Sequence, residues 1–139
     1  MPELAALTEA GLEVHDEDTL GELELGVYFA QGTGRDRDER AAEGWGGDRL
    51  RVYRAPGGAT PVVWFTTWDE EREAIEAEAA AARVRDLVPP ERRASHLVQR
   101  IGRAVLIVRD LEPALHVPVI QEFERFARSL PRTPGRIEG

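Results

Sequence analysis

The sequence predicts an α+β domain: a four-stranded antiparallel sheet in the order ββαββα, with helices mainly on one face, behind a helical leader. Three observations carry this expectation. Residues 48–68 and 96–110 each hold two arms rich in apolar and β-branched residues around a glycine-containing turn, which is the pattern of a hairpin. Each is followed by a segment with apolar or small residues at helical spacing. The resulting order supplies no parallel crossover, and therefore no switch-point crevice of the kind that binds nucleotides.

The elements follow in order. Residues 1–26 hold eight carboxylates and no arginine: Glu3, Glu9, Glu13, Asp16, Glu17, Asp18, Glu22 and Glu24. Residues 1–18 read as an acidic leader. In "DTLGEL", Thr19 and Glu22 have capping-box spacing and predict a helix from Leu20, with Leu20, Leu23, Val27 and Tyr28 on one face and "QGTG" as its end. The polar "RDRDERAAE" predicts a short helix through Ala42. From Asp48, Leu50 and Val52 alternate with Arg49, Arg51 and Tyr53; "APGGAT" turns the chain and "PVVWFTTW" returns it. Thr67 or Asp69 caps the next helix, whose first turn holds acids where the dipole favours them. Ile75, Ala79 and Ala82, with Ala74, Ala77 and Ala81, give it a small-residue face before "VPPERRAS" stops it. Gly102-Arg103 suits a type II′ turn into "AVLIV", a buried central strand. The last helix, "VIQEFERFARSL", carries Ile120, Phe123, Ala127 and Leu130 on one stripe, flanked by Val119 and Phe126. Residues 1–130 form one domain and 131–139 a disordered tail.

Composition narrows the chemistry. The 139 residues carry a net charge of −8, which repels polyphosphate and anionic membrane and argues against nucleic-acid and membrane partners. Every basic residue is arginine, the mark of a GC-rich bacterial coding sequence. Cysteine is absent, which excludes thiolate nucleophiles, disulfides and cysteine-ligated zinc. No apolar run reaches the roughly 20 residues that span a bilayer, and the amino terminus has acids where a signal peptide has basic residues. A cytoplasmic location is expected.

The stretch "AAEGWGGDRLRVYR" raises the possibility of a phosphate loop. Such loops place glycines after a strand and before a helix, whereas here the strand comes after them, and Glu43 and Asp48 would repel the phosphate. The reading is a bend: Gly44, Gly46 and Gly47 turn the chain into the strand, Trp45 packs as a lid, and Asp48 and Arg49 hydrogen-bond the turn. A surface recognition loop presenting Trp45 is the competing reading. His15, His96 and His116 match no zinc spacing, and the carboxylates at 15–18 and 69–71 lack the pattern of a calcium loop. Ser95-His96 has no nucleophile elbow. Trp64 and Trp68 share one side of a strand, for sheet-face packing first and an aromatic shelf second. No catalytic residue, cofactor or metal is expected.

"DTLGELELGVYF", "AAEGWGGDRLRVYR", "VVWFTTWDEEREAIE" and "GRAVLIVRDLEP" together resemble the carboxy-terminal region of zincin-type metallopeptidase-like proteins, chiefly of myxobacteria. Gly-Trp-x-Gly-Asp-Arg and Trp-Asp stretches are also similar to those of haloarchaeal surface proteins. The resemblance spans about residues 18–115. It implies an accessory domain without hydrolytic activity, since no HExxH stands in this chain. It also implies a domain of an exported protein, in conflict with the acidic leader.

Two function classes follow. One is a non-catalytic binding or accessory module that contacts a protein through an open sheet face or the Trp45 loop. The other is a small acidic adaptor resembling secretion chaperones. Candidate contact residues are Trp45, Asp48, Arg49, Trp64 and Trp68, with Glu13, Asp16, Glu17 and Asp18 for a basic partner or for a second copy in a homodimer.

Overall fold

Both expected hairpins form, and a fifth strand joins them. The computed structural model describes residues 1–32 and 39–131; the expected tail after Pro131 and residues 33–38 of the polar segment lie outside the described residues. The elements are α1 (Ala5–Glu9), β1 (Glu13–Asp18), α2 (Gly21–Ala30), α3 (Glu39–Ala42), β2 (Trp45–Arg54), β3 (Val62–Trp68), α4 (Glu71–Arg85), α5 (Pro90–Arg93), β4 (Leu97–Ile101), β5 (Ala104–Arg109), a 3-10 turn (Pro113–Leu115) and α6 (His116–Ser129). All pairings are antiparallel, in the order β1-β2-β3-β5-β4.

The sheet is therefore five-stranded rather than four-stranded. The extra strand comes from the acidic leader, where apolar alternation is missing but Glu17 stands directly across from Arg51 in register. A cross-strand opposite-charge pair stabilises a ladder that hydrophobic patterning does not announce. Gly102 takes φ +57° between β4 and β5, as a primed hairpin turn requires at its first position.

Helices cover both faces, not mainly one. Val63, Phe65, Ala104, Leu106 and Val108 pack with Leu4 and Leu7 of the amino-terminal segment and with Val119 and Phe123 of α6. Trp64, Trp68, Val105 and Ile107 pack on the other side with Leu25 and Phe29 of α2, Ala41 and Ala42 of α3, and the alanines of α4. Alternating residues of one strand thus feed two cores, and all of Ala104–Val108 is buried, as expected of a central strand. Among the described residues, helices thus cover both faces of the sheet's centre, β3 and β5.

Several local expectations shift. In α2 the buried side chains are Leu25, Phe29 and Ala30, while Leu23 and Val27 are exposed; Leu20 and Tyr28 pack at the margin of the core. In α4 the face toward the sheet is Ala74, Ala77, Ala80, Ala81 and Val84, and Ile75 points outward. The cap of α4 is Glu70, not Thr67 or Asp69: the Glu73 carboxylate accepts the Glu70 N–H at 3.1 Å. The stripe of α6 forms as expected, with Val119 and Phe123 buried and Ile120, Phe126, Ala127 and Leu130 beside them.

Candidate functional site

The Trp45-Gly46-Gly47-Asp48 stretch is the start of β2, not a turn before it. A bulge falls between Trp45 and Gly47 where they oppose Trp68 and Thr67. The glycine that must be glycine is Gly44: its φ is +83°, and a Cβ there would overlap the Glu73 carboxylate. Gly46 does not take positive φ.

Asp48 faces the α2 side of the sheet and gathers four donors. Oδ1 accepts the Gly21 N–H at 2.8 Å and the Trp45 indole N–H at 3.0 Å. Oδ2 accepts the Leu20 N–H at 2.9 Å and the Trp64 indole N–H at 2.9 Å. The expected Thr19–Glu22 capping box is absent from α2; a carboxylate 27 residues downstream of Gly21 satisfies its first amides instead. An anion there also meets the positive end of the helix dipole. Trp45 is half-buried against the second core, and Trp64 and Trp68 are buried, with Tyr28 edge-on to Trp64 at 5.2 Å. These indoles serve packing, and Trp64 and Trp68 present no shelf to a partner.

Arg49 and Arg51 point to the opposite face. Arg51 is buried and donates to the Tyr53 hydroxyl at 3.2 Å, the Pro2 carbonyl at 3.3 Å and Glu17 Oε2 at 3.3 Å. Arg49 Nε reaches the same Glu17 oxygen at 3.1 Å, and its Nη1 reaches Thr19 Oγ1 at 3.2 Å. Hydrogen bonds from Arg49 and Arg51 hold the Glu17 carboxyl below the usual carboxylate range against its partial desolvation. Burial raises the Tyr53 phenol above its ordinary value.

The other leader acids lie along the sheet edge. Glu13, Asp16 and Asp18 of β1 are exposed. Asp16 and Asp18 accept only the backbone N–H of the next residue, at 2.9 and 2.7 Å. None of the three is in an ion pair among the described residues.

The histidines are dispersed. His15 Nδ1 lies 3.1 Å from Arg54 Nη2, and His116, the first residue of α6, has Nε2 2.8 Å from the Leu111 carbonyl. His96 is buried just before β4, its Nε2 3.3 Å from Asp110 Oδ1 but outside hydrogen-bonding geometry. Asp110 has φ +56°. Ser95 Oγ donates to the Arg92 carbonyl at 2.8 Å. Among the described residues no three potential metal ligands converge, and no helix is long and apolar enough to cross a membrane.

Residues 10–117, more than three quarters of the chain, match the family model described as Domain of unknown function (DUF8575). The chain belongs to this family. The DUF8575 span takes in all five strands and α2 through α5, and leaves α1 and nearly all of α6 outside. No curated protein and no solved structure matches the chain.

Reasoning from sequence alone missed the edge strand and the Asp48 cap. The leader "EVHDED" has no apolar alternation, so no periodicity could reveal a strand. The cap is a contact across 27 residues between a motif read as a turn and a helix start read as self-capped.

Proposed function

We propose that this domain is a non-catalytic binding module that takes an extended, basic protein segment along β1. The observation that supports it is the edge itself. β1 pairs with β2 on one side only, and its exposed Glu13, Asp16 and Asp18 are in no ion pair among the described residues, Arg54 across from Glu13 lying against His15 instead. A free strand edge offers main-chain hydrogen bonds to any extended chain, which gives affinity without sequence choice. Carboxylates along it add the choice: they repel a second acidic edge and attract alternating arginine or lysine. The same acids that guard the edge against self-pairing thus admit a basic strand.

An eight-residue peptide alternating arginine with valine, and its glutamate counterpart, test this by titration against the labelled domain. The arginine peptide should bind saturably, shift backbone amides of residues 13–18, and weaken at least tenfold in the triple variant Glu13→Gln, Asp16→Asn, Asp18→Asn. High salt should weaken it too, since the screening length falls to about 3 Å at 1 M. Equal binding by the glutamate peptide or by the triple variant, or shifts confined to other elements, would overturn the reading.

A further inference from the structure

On the other side of β2 from the Asp48 carboxylate, a cleft of about 300 Å³ opens over Gly47. Its polar lining is Asp48, Arg49 and Thr67, the Asp48 carboxylate being taken up by the Leu20 and Gly21 amides and the Trp45 and Trp64 indoles; its apolar lining is Met1, Phe65, Phe126 and Leu130. The space follows from the register. Gly47 stands opposite Thr67, so the position that Arg49 and Arg51 fill further along this face is left empty there. A Cβ on Gly47 would stand 3.4 Å from Thr67 Oγ1. The apolar wall is preformed, because Phe65 and Phe126 already pack against each other at a tilt, 5.1 Å between ring centres. The volume is at the lower end of small-molecule pockets, which run from about 300 to 1,000 Å³.

The ion-pair cluster that includes Arg49 has the opposite sign to the charge of the chain. One carboxylate, Glu17, serves two guanidinium groups, Arg49 and Arg51, so this trio is left with a net positive charge. Arg51 is buried, whereas the Arg49 side chain is 46% exposed. Arg49 spends Nε and Nη1 on Glu17 and Thr19, and its Nη2 has no hydrogen-bond partner among the described residues. Arginine is suited to planar recognition of a carboxylate, and an apolar cleft with few polar groups fixes a ligand by its body and orients it by one charge.

We propose that this cleft binds a small apolar carboxylate, its body lying between Phe65, Phe126 and Leu130 over Gly47, and its carboxylate on Arg49. A neutral molecule of the same shape leaves Arg49 unused, and a cation is repelled by it. The site is independent of the β1 edge: one takes an anion in an apolar cleft, the other a basic chain on a strand, and each can fail without the other.

2-Naphthoate, its neutral analogue 2-naphthylmethanol and the aliphatic octanoate are the probes, titrated into the full chain by calorimetry. 2-Naphthoate should bind one to one, octanoate should compete with it, and the alcohol should bind at least tenfold more weakly than the acid. Arg49→Gln should remove that preference by weakening the acid alone. Gly47→Val fills the floor and Leu130→Trp fills the wall; the second lies outside the sheet, so it stays informative if the first disturbs the strand. Each folded variant, judged by a cooperative melt, should lose binding of all three probes. No saturable binding of 2-naphthoate, equal affinity for acid and alcohol, or undiminished binding in both filling variants overturns the proposal.

Discussion

At the scale of single residues, Asp48 concentrates more hydrogen bonding than any pattern in the sequence suggests. Its carboxylate takes two indole and two backbone N–H groups. Replacing it by alanine leaves four donors short of a partner, and an unsatisfied buried donor costs about 1–3 kcal/mol. Water reaches part of the half-exposed site, so Asp48→Ala should lose about 3 kcal/mol in urea unfolding, and Asp48→Asn, which keeps one acceptor oxygen, about half as much. A loss under about 1 kcal/mol for alanine would show that the donors find other acceptors. His96 gives a pH dependence whose sign is fixed by burial. Desolvation pulls its pKa below the ordinary 6.5; Asp110 opposes this, and Arg109 and Arg92 reinforce it. Above about pH 6.5 the imidazole is neutral in both states and its contribution is complete. As pH falls below that value, the unfolded chain takes up a proton that the folded chain refuses, so stability drops until the lowered folded pKa is reached. The slope from this group can reach at most about 1.4 kcal/mol per pH unit. His96→Gln should flatten the fall in unfolding free energy between pH 7 and 5.5 relative to the parent, with His15 and His116 common to both proteins. Parallel curves for the two would refute the assignment. Glu17, held down by Arg49 and Arg51, adds stability that is lost only at lower pH, below its ordinary 4.5.

At the scale of elements, what was legible was what repeats. The two hairpins, the buried strand Ala104–Arg109 and the stripe of α6 all carry their period in sequence, and all stand where that period places them. The helices around the second core were legible as helices but not in their facing. In α4, alanine occupies both sides of the wheel, so the choice of Ala77 and Ala81 over Ala79 is made by the sheet it lies on. In α2, the apolar residues run almost all round the helix. Its orientation is set by Asp48 holding the first turn and by Phe29 entering the core beside Trp68, at 6.3 Å between rings. β1 was illegible because it has no apolar alternation, and its ladder and the Glu17 ion pairs depend on a partner strand 30 or more residues away. The candidate contact residues divide in the same way. Glu13, Asp16 and Asp18 were readable as a charge cluster, but only the fold puts them on a sheet edge. The cleft over Gly47 needed the register of β2 with β3 and the end of α6 together.

At the scale of the whole molecule, the sheet is a partition between two cores, and the chain builds the two by different means. The helices that cover the α2–α4 side all lie between β1 and β4 in sequence. The other side is closed by the two ends of the chain, through Leu4 and Leu7 near the start and Val119 and Phe123 in α6. These closing residues lie outside the span 10–117 that matches the family. Without them Val63, Phe65, Leu106 and Val108 face water on one side of the sheet. Truncating one such buried side chain costs about 2–5 kcal/mol, and a domain has only about 5–15 kcal/mol in total. A fragment of residues 10–117 should therefore lose its cooperative thermal transition and bind the dye 8-anilinonaphthalene-1-sulfonate, while residues 1–131 melt cooperatively without it. The fragment retains every strand and the whole Asp48 hub, so a sharp melt from it would mean that the second core suffices and that the terminal helices only cover a fold already formed.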